Sequence, residues 1–217
     1  MATTFRVNYD DQLAELRSRV LHMGNLSLDM VRLAGEAMST GNTDLANQVV
    51  AMDDQVDRLE DETVFMAMNL VMREAPVATD LKRLLATVGI VGEIEKVADD
   101  AVKLARRASK LTGVFPAELK VMLNELSELA RHAFGGSLRL YADYSDEEAK
   151  SIVDFDETVD KKYQEVRERV QGLIQANPTL TPVYLRTIEA FHALEHVADH
   201  AVEIATRLRL HFGSAPA

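Results

Sequence analysis

Glu95-Lys-Val-Ala-Asp99-Asp-Ala-Val-Lys-Leu-Ala105 returns 100 residues later as Glu195-His-Val-Ala-Asp199-His-Ala-Val-Glu-Ile-Ala205, with seven of eleven positions identical. A repeat of this kind marks an internal duplication, and what is duplicated is an acidic pair, Glu-x-x-x-Asp, set in an apolar helical pattern. Each copy has an upstream acidic partner: Asp53 and Asp57 in Met52-Asp53-Asp-Gln-Val56-Asp57, and Asp156 and Asp160 in Phe155-Asp156-Glu-Thr-Val159-Asp160. Two quartets of carboxylates follow, Asp53/Asp57/Glu95/Asp99 and Asp156/Asp160/Glu195/Asp199.

Outward from the repeat, the apolar residues recur with a helical period of 3.6 rather than alternating, and proline and glycine gather at a few joints. The joints predict six helices: roughly Tyr9–Ser39, Asp44–Arg73, Thr79–Leu111, Pro116–Asp143, Asp146–Ala176 and Pro182–His211. Asn42 or Thr43 is placed to cap the second. Ser145-Asp-Glu-Glu148 reads as a capping box for the fifth, and Thr181 as the cap of the sixth with Pro182 in its first turn. The last residues, Gly213 to Ala217, read as a frayed tail. Helices of about 30 residues, some ~45 Å long and joined by short turns, pack as antiparallel neighbours. The fold expected is all-α: two tandem, pseudo-symmetric three-helix bundles, residues 1–113 and 114–217. The third and fourth helices are expected to hold the halves together.

Composition narrows the function. The hydrophobic fraction of 47% supplies a core, and a formal net charge of −11 without clustered Lys or Arg excludes a nucleic-acid binder. Arg106-Arg107 and Lys161-Lys162 read as solvated helix faces. The absence of cysteine excludes disulfides, thiolate metal sites and a Cys nucleophile, and suits a reducing cytoplasm. No apolar run reaches signal-peptide length at the N-terminus or the ~20 residues of a membrane span. A soluble, cytoplasmic chain is expected. Gly-x-Ser-x-Gly and phosphate-cradling loops are absent from the sequence, and Gly135-Gly136 reads as close helix packing. The methionines, Met23, Met30, Met66 and Met68 among them, read as core packing.

The acids carry the chemistry. At 100° per residue, Leu84, Val88, Val91, Asp99 and Val102 fall within about 40° of Glu95, and Tyr184, Ile188, Phe191, Asp199 and Val202 do the same around Glu195. The quartets are therefore expected inside the core stripe, with Lys96, Lys103 and Lys161 off it. Buried carboxylates without partners cost several kcal/mol each, on the order quoted for polar burial, or take up protons. An all-oxygen nest of this kind suits hard metal ions, one or several per site. Bland readings compete: exposed i,i+4 acid pairs are usually solvated faces, and a stripe that ends at the bundle edge leaves its acids wet. Of the histidines, His192 shares the azimuth of Asp199 and is a candidate auxiliary ligand, while Glu60 flanks Asp53 in the first half. A di-iron carboxylate oxidase would need Glu-x-x-His on two helices, and the repeated motif carries none.

Two three-helix halves with Asp-x-x-x-Asp followed by Glu-x-Val-Ala-Asp resemble the PhoU family, as does Asp80-Leu-Lys-Arg83 at the start of the third helix. The resemblance covers essentially the whole chain. It implies a non-enzymatic, cytoplasmic negative regulator of phosphate uptake and phosphate-starvation signalling. In that family the acids bind metal clusters in some members, often iron; Zn, Mn or Mg are further options. The implied partners are the ATPase subunit of the phosphate ABC transporter and the membrane histidine kinase, with membrane contact through these partners only, and a homodimer. A carboxylate-bridged metalloenzyme or metal store is the alternative, and a purely structural helical protein a third reading.

Overall fold

The computed structural model describes residues 2–213, with side chains from Tyr9 onward. Within them run α1 (Ala2–Thr40), α2 (Thr43–Glu74), α3 (Ala78–Leu111), α4 (Lys120–Ala142), α5 (Asp146–Ala176) and α6 (Thr181–Phe212), with short 3-10 turns at Ala117–Leu119 and Pro178–Leu180. The described residues hold six long helices and no strand, as the periodicity requires. None of these helices is long and apolar enough to cross a membrane. The expected tail lies outside the described residues from Ser214 onward.

Local chemistry sets the boundaries. Gly41, at φ 72°, closes α1 in the left-handed conformation, and the amides of Gly41 and Asn42 both donate to the Ala37 carbonyl, at 2.8 and 3.1 Å. Asn42 then caps α2, its Oδ1 accepting from the amides of Asp44 (3.0 Å) and Leu45 (3.2 Å). Ser145 Oγ accepts from the Glu148 amide at 3.3 Å, the expected first half of a capping box. Thr181 departs from expectation. Its hydroxyl donates back to the Pro178 carbonyl at 2.6 Å, because the Pro178–Leu180 turn has already begun the coil that α6 continues.

The helices form two triads, α1–α2–α3 and α4–α5–α6, joined where α3 packs on α6 and α1 on α4. The third and fourth helices each hold the halves together as expected, but through α6 and α1 rather than chiefly through each other, and α3 and α6, the two copies of the repeated helix, form the central pair. One apolar cluster runs through both triads, from Val20, Met23 and Met30 of α1 through Ile90, Ile94 and Val97 of α3 to Phe134 of α4 and Phe191, Leu194 and Ile204 of α6. Close helix approach sits on α1 rather than at Gly135-Gly136. A Cβ on Gly35 would lie 2.8 Å from Ser127 Oγ of α4, and one on Gly24 would collide with the Leu138 side chain, whereas one on Gly135 would reach nothing nearer than 3.6 Å. Met23 and Met30 are buried as expected, but Met68 and Met72 are exposed beside Phe65 and Leu85.

Candidate metal centre

The packing of α2 on α3 brings Asp53 and Asp57 to the same level of the first triad as Glu95 and Asp99, along the middle stretches of the two helices. Asp53 and Glu95 are half-buried; Asp57 and Asp99 are exposed. Burial pushes the Asp53 carboxyl up, with Asp57 and Asp99 adding to the shift and Arg106 opposing it. Glu95 is raised by burial, then by Asp99, Glu60, Asp57 and Asp53. Glu60, raised by burial and by Asp61 and Asp57, belongs to the same field of negative charge.

The second quartet is tighter. Oxygens of Asp156, Asp160 and Asp199 all lie within 4.8 Å of one another. Burial, then Asp160 and Asp199, push Asp156 up to about 6; burial, then Asp199, Asp160 and Asp156, push Glu195 up to about 7. Asp199 is raised by burial, with His196 acting against the shift. Asp156 Oδ1 and Glu195 Oε2 are inaccessible to solvent and accept no hydrogen bond. These oxygens fit a bound cation, which would supply the missing partner and remove the mutual repulsion. A concavity of about 540 Å³ opens beside this quartet, lined by Asp156, Asp199, His200, Glu203 and Arg207 among others.

The quartets lie at the margin of the core and not inside it, which corrects the expected placement. The physical reason is the width of the buried arc of α3. Ile90, Ile94, Val97, Ala101 and Ala105 are all buried, and their mean direction lies about 120° from Glu95 at 100° per residue. The azimuths around Glu95 captured one edge of this arc.

The opposite edge carries the acids that sequence reasoning missed. Glu93 is 4% exposed and Asp100 2% exposed, which makes them core residues under the cover of α6. His200 of α6 lies between them, Nδ1 3.0 Å from Glu93 Oε2 and Nε2 3.4 Å from Asp100 Oδ2. Lys96 adds a 3.1 Å ion pair to Glu93, Lys103 a 2.9 Å pair to Asp100, and Arg207 reaches Glu93 at 3.3 Å. Hydrogen bonds from these cations outweigh burial and hold both carboxyls below their ordinary values, while the same acids raise His200. A signal was present in the repeat itself. Asp100 and His200 are equivalent positions of the repeat that differ, and the packing of α3 on α6 sets this pair face to face.

Two further side chains read as solvated faces are bridges instead. Arg107 pairs with Glu189 of α6 at 2.6 Å, and Lys162 with Glu125 of α4 at 2.6 Å. His192, read from the sequence as sharing the azimuth of Asp199, has its Nε2 3.7 Å from Glu195 Oε2.

Comparison with known proteins bears on both halves. A family model described as the PhoU domain matches twice, at residues 20–108 and 123–208. The phosphate-specific transport system accessory protein PhoU homolog of Pseudomonas aeruginosa is 29% identical over 202 residues, a stretch covering 91% of this chain and 82% of that protein. The homolog from Rhizobium meliloti is 29% identical over 199 residues, 91% of this chain and 84% of its own length. The crystal structure of PhoU from Pseudomonas aeruginosa superposes with a TM-score of 0.90 at 27% identity, covering 95% of this chain and all (100%) of that one. The phosphate transport system regulatory protein PhoU from Streptococcus pneumoniae, at 20% identity and a TM-score of 0.87 over 96% of this chain and 99% of its own, shares the fold. These relatives carry the names of accessory and regulatory proteins rather than enzymes. Both acidic quartets fall inside the two matched stretches, and the chain belongs to the PhoU family.

Proposed function

We propose that this protein is a cytoplasmic, metal-carrying negative regulator of phosphate uptake and phosphate-starvation signalling, acting as an adaptor between the ATPase subunit of a phosphate ABC transporter and its membrane sensor kinase. The regulatory role is supported by similarity to phosphate-transport accessory proteins along 91% of the chain. The metal role rests on one observation: solvent-inaccessible oxygens of Asp156 and Glu195 accept no hydrogen bond although both carboxyls are pushed well above their ordinary range.

Asp53, Asp57, Glu95 and Asp99 would hold one metal centre and Asp156, Asp160, Glu195 and Asp199 the other, with iron as the favoured ion and Mn, Mg or Zn as substitutes. A bound cation supplies positive charge that lets these acids ionise together. The carboxylates tie α2 to α3 and α5 to α6, so metal loading stiffens each triad along its acidic margin. A regulator that works by contact needs a fixed shape, and the acidic faces suit a basic partner surface. The protein is expected to act as a homodimer and to reach the membrane only through its partners.

Deletion in the host tests the regulatory reading. The expected result is expression of phosphate-uptake genes in phosphate-replete medium together with loss of a transporter pull-down; unchanged phosphate signalling overturns it. Elemental analysis tests the metal reading separately, with metal content falling by about half in Asp53→Asn/Asp57→Asn if the two sites load equally.

A further inference from the structure

The second half carries donors that the first half lacks. His192, Glu195 and His196 occupy positions i, i+3 and i+4 of α6, so they share one face, and their donor atoms lie within 4.8 Å of one another. Glu195 Oε2 faces His192 Nε2 at 3.7 Å and His196 Nε2 at 4.0 Å, too far for hydrogen bonds. Donors bound at ~2.0–2.1 Å to one tetrahedral ion stand about 3.3 Å apart, so small rotations of two side chains would converge all three. His196 turns its other nitrogen, Nδ1, toward the buried Asp100 carboxylate at 3.7 Å, a gap that a small ring rotation would close into the hydrogen bond by which an outer carboxylate orients a metal-binding imidazole. His192 stacks on Tyr163 with ring centroids 5.8 Å apart and planes at 25°. At the equivalent places of α3 stand Gly92, Glu95 and Lys96, a set with a single donor that a metal can use.

We propose that His192, Glu195 and His196 form a mixed nitrogen–oxygen site for borderline divalent ions, of which Zn²⁺ is the representative, with its fourth position open to water. It deepens the metal-carrying reading of the second half, because Glu195 also belongs to the acidic quartet there. An i,i+4 imidazole pair on a helix suits Zn²⁺, Ni²⁺ or Cu²⁺, whereas the first quartet, all oxygen, suits harder ions. The two halves therefore differ in selectivity although their carboxylates repeat. Access is direct: the His192 side chain is 49% exposed and that of His196 40% exposed, so ions can enter and substitutions there spare the core.

The test uses the intact, metal-stripped protein. Zn²⁺ affinity is measured by competition with a chromophoric chelator, and Cu²⁺ loading by electron paramagnetic resonance, in wild type, His192→Gln/His196→Gln, Asp100→Asn and Asp156→Asn/Asp160→Asn. The expected result is nitrogen hyperfine structure on Cu²⁺ in wild type and in Asp156→Asn/Asp160→Asn, its loss in the double histidine variant, and at least tenfold weaker Zn²⁺ binding there. Asp100→Asn weakens Zn²⁺ binding about tenfold through the His196 orientation. A nitrogen-free Cu²⁺ spectrum in wild type, or Zn²⁺ affinity unchanged by the histidine substitutions, overturns the proposal whatever the carboxylates do. Metal content unaffected by Asp53→Asn/Asp57→Asn would overturn the carboxylate reading while leaving this site standing.

Discussion

The two edges of α3 hold acids in opposite conditions. On the α6 side, Glu93 and Asp100 are almost wholly buried and sit below their ordinary carboxyl range; on the margin facing α2, Glu95 is more exposed and sits above it. Exposure alone would give the reverse order. Partners decide. His200, Lys96, Lys103 and Arg207 stabilise the charged form at the first edge, while at the second the neighbours of Glu95 are Asp99, Glu60, Asp57 and Asp53. The first edge is a finished electrostatic joint between the halves. The second is a set of like charges that folding brings together, with Arg106 only partly offsetting them at Asp53, the condition in which a binding site costs stability.

The sharpest way to break this contrast is to remove a partner from the finished joint. Asp100→Ala leaves His200 with Glu93 alone and removes the ion-pair partner of Lys103 at the α3–α6 interface, and truncating one member of a buried, charge-paired network is expected to cost about 2–3 kcal/mol, less than a fully sequestered pair because His200 keeps Glu93 and Lys103 is partly solvated. Urea denaturation would show it as a lower midpoint with unchanged slope. A loss under about 1 kcal/mol would mean that water replaces the pairing and that the joint is not structural. His200→Gln in the same background completes a double-mutant cycle; coupling near zero would separate the two residues.

The pH dependence of the metal-free protein comes next, and its sign differs at the two edges. Asp156 near 6 and Glu195 near 7 in the fold, against ordinary values of 3.8 and 4.5, bind protons more tightly folded than unfolded. Their stabilising contribution is present at low pH and is lost as pH rises from about 4 to about 7. Glu93 and Asp100, lowered in the fold, contribute stability above their ordinary values and lose it only as pH falls below about 4. His200, raised, contributes below its ordinary value of 6.5 and loses that contribution as pH climbs past it. Metal-free protein should therefore be most stable near pH 4.5–5 and weaken toward neutrality by about 1 kcal/mol, a figure discounted for the solvent around both acids. Asp156→Asn/Asp160→Asn should flatten that decline. A stability curve that rises from pH 5 to 7 in the wild type would contradict the raised carboxyls.

How far these edges were legible follows from what each depends on. Asp53/Asp57 and Asp156/Asp160 repeat the i,i+4 spacing of Glu95/Asp99 and Glu195/Asp199, so the quartets could be read from the duplication and from helix geometry. Depth could not. The azimuths around Glu95 named its neighbours on one edge, and only the packing of α3 against α1, α2 and α6 together shows where the buried arc is centred. Glu93, Asp100 and His200 were hidden for a related reason: the period of a helix says which residues share a face but not which helix covers it. The change from Asp100 to His200 in an otherwise matching stretch becomes informative once equivalent helices are known to face each other. Thr181 was misjudged because the Pro178–Leu180 turn runs straight into α6, which makes Thr181 the first residue of the helix and moves the cap position to Leu180.

The finest comparison is between the quartets themselves, and it turns on one position outside both. Arg106 acts against the raised carboxyl of Asp53, whereas the residues that shift Asp156 are its burial and two acids, with no cation among them. The residue equivalent to Arg106 in the second copy is Thr206. Arg106 is thus one source of difference between Asp53 and Asp156 that substitution can isolate, beside burial and the neighbouring acids. Arg106→Thr removes it without touching the core, since Arg106 is exposed. The Asp53 carboxyl resonance, followed by NMR in metal-free protein, should then titrate at higher pH, moving toward the value near 6 of Asp156, with a change in overall stability too small to read by denaturation. The reciprocal Thr206→Arg should draw Asp156 down. If Asp53 keeps its titration point when Arg106 is gone, the difference between the quartets comes instead from their depth, and the first half would owe its lower repulsion to the water around Asp57 and Asp99.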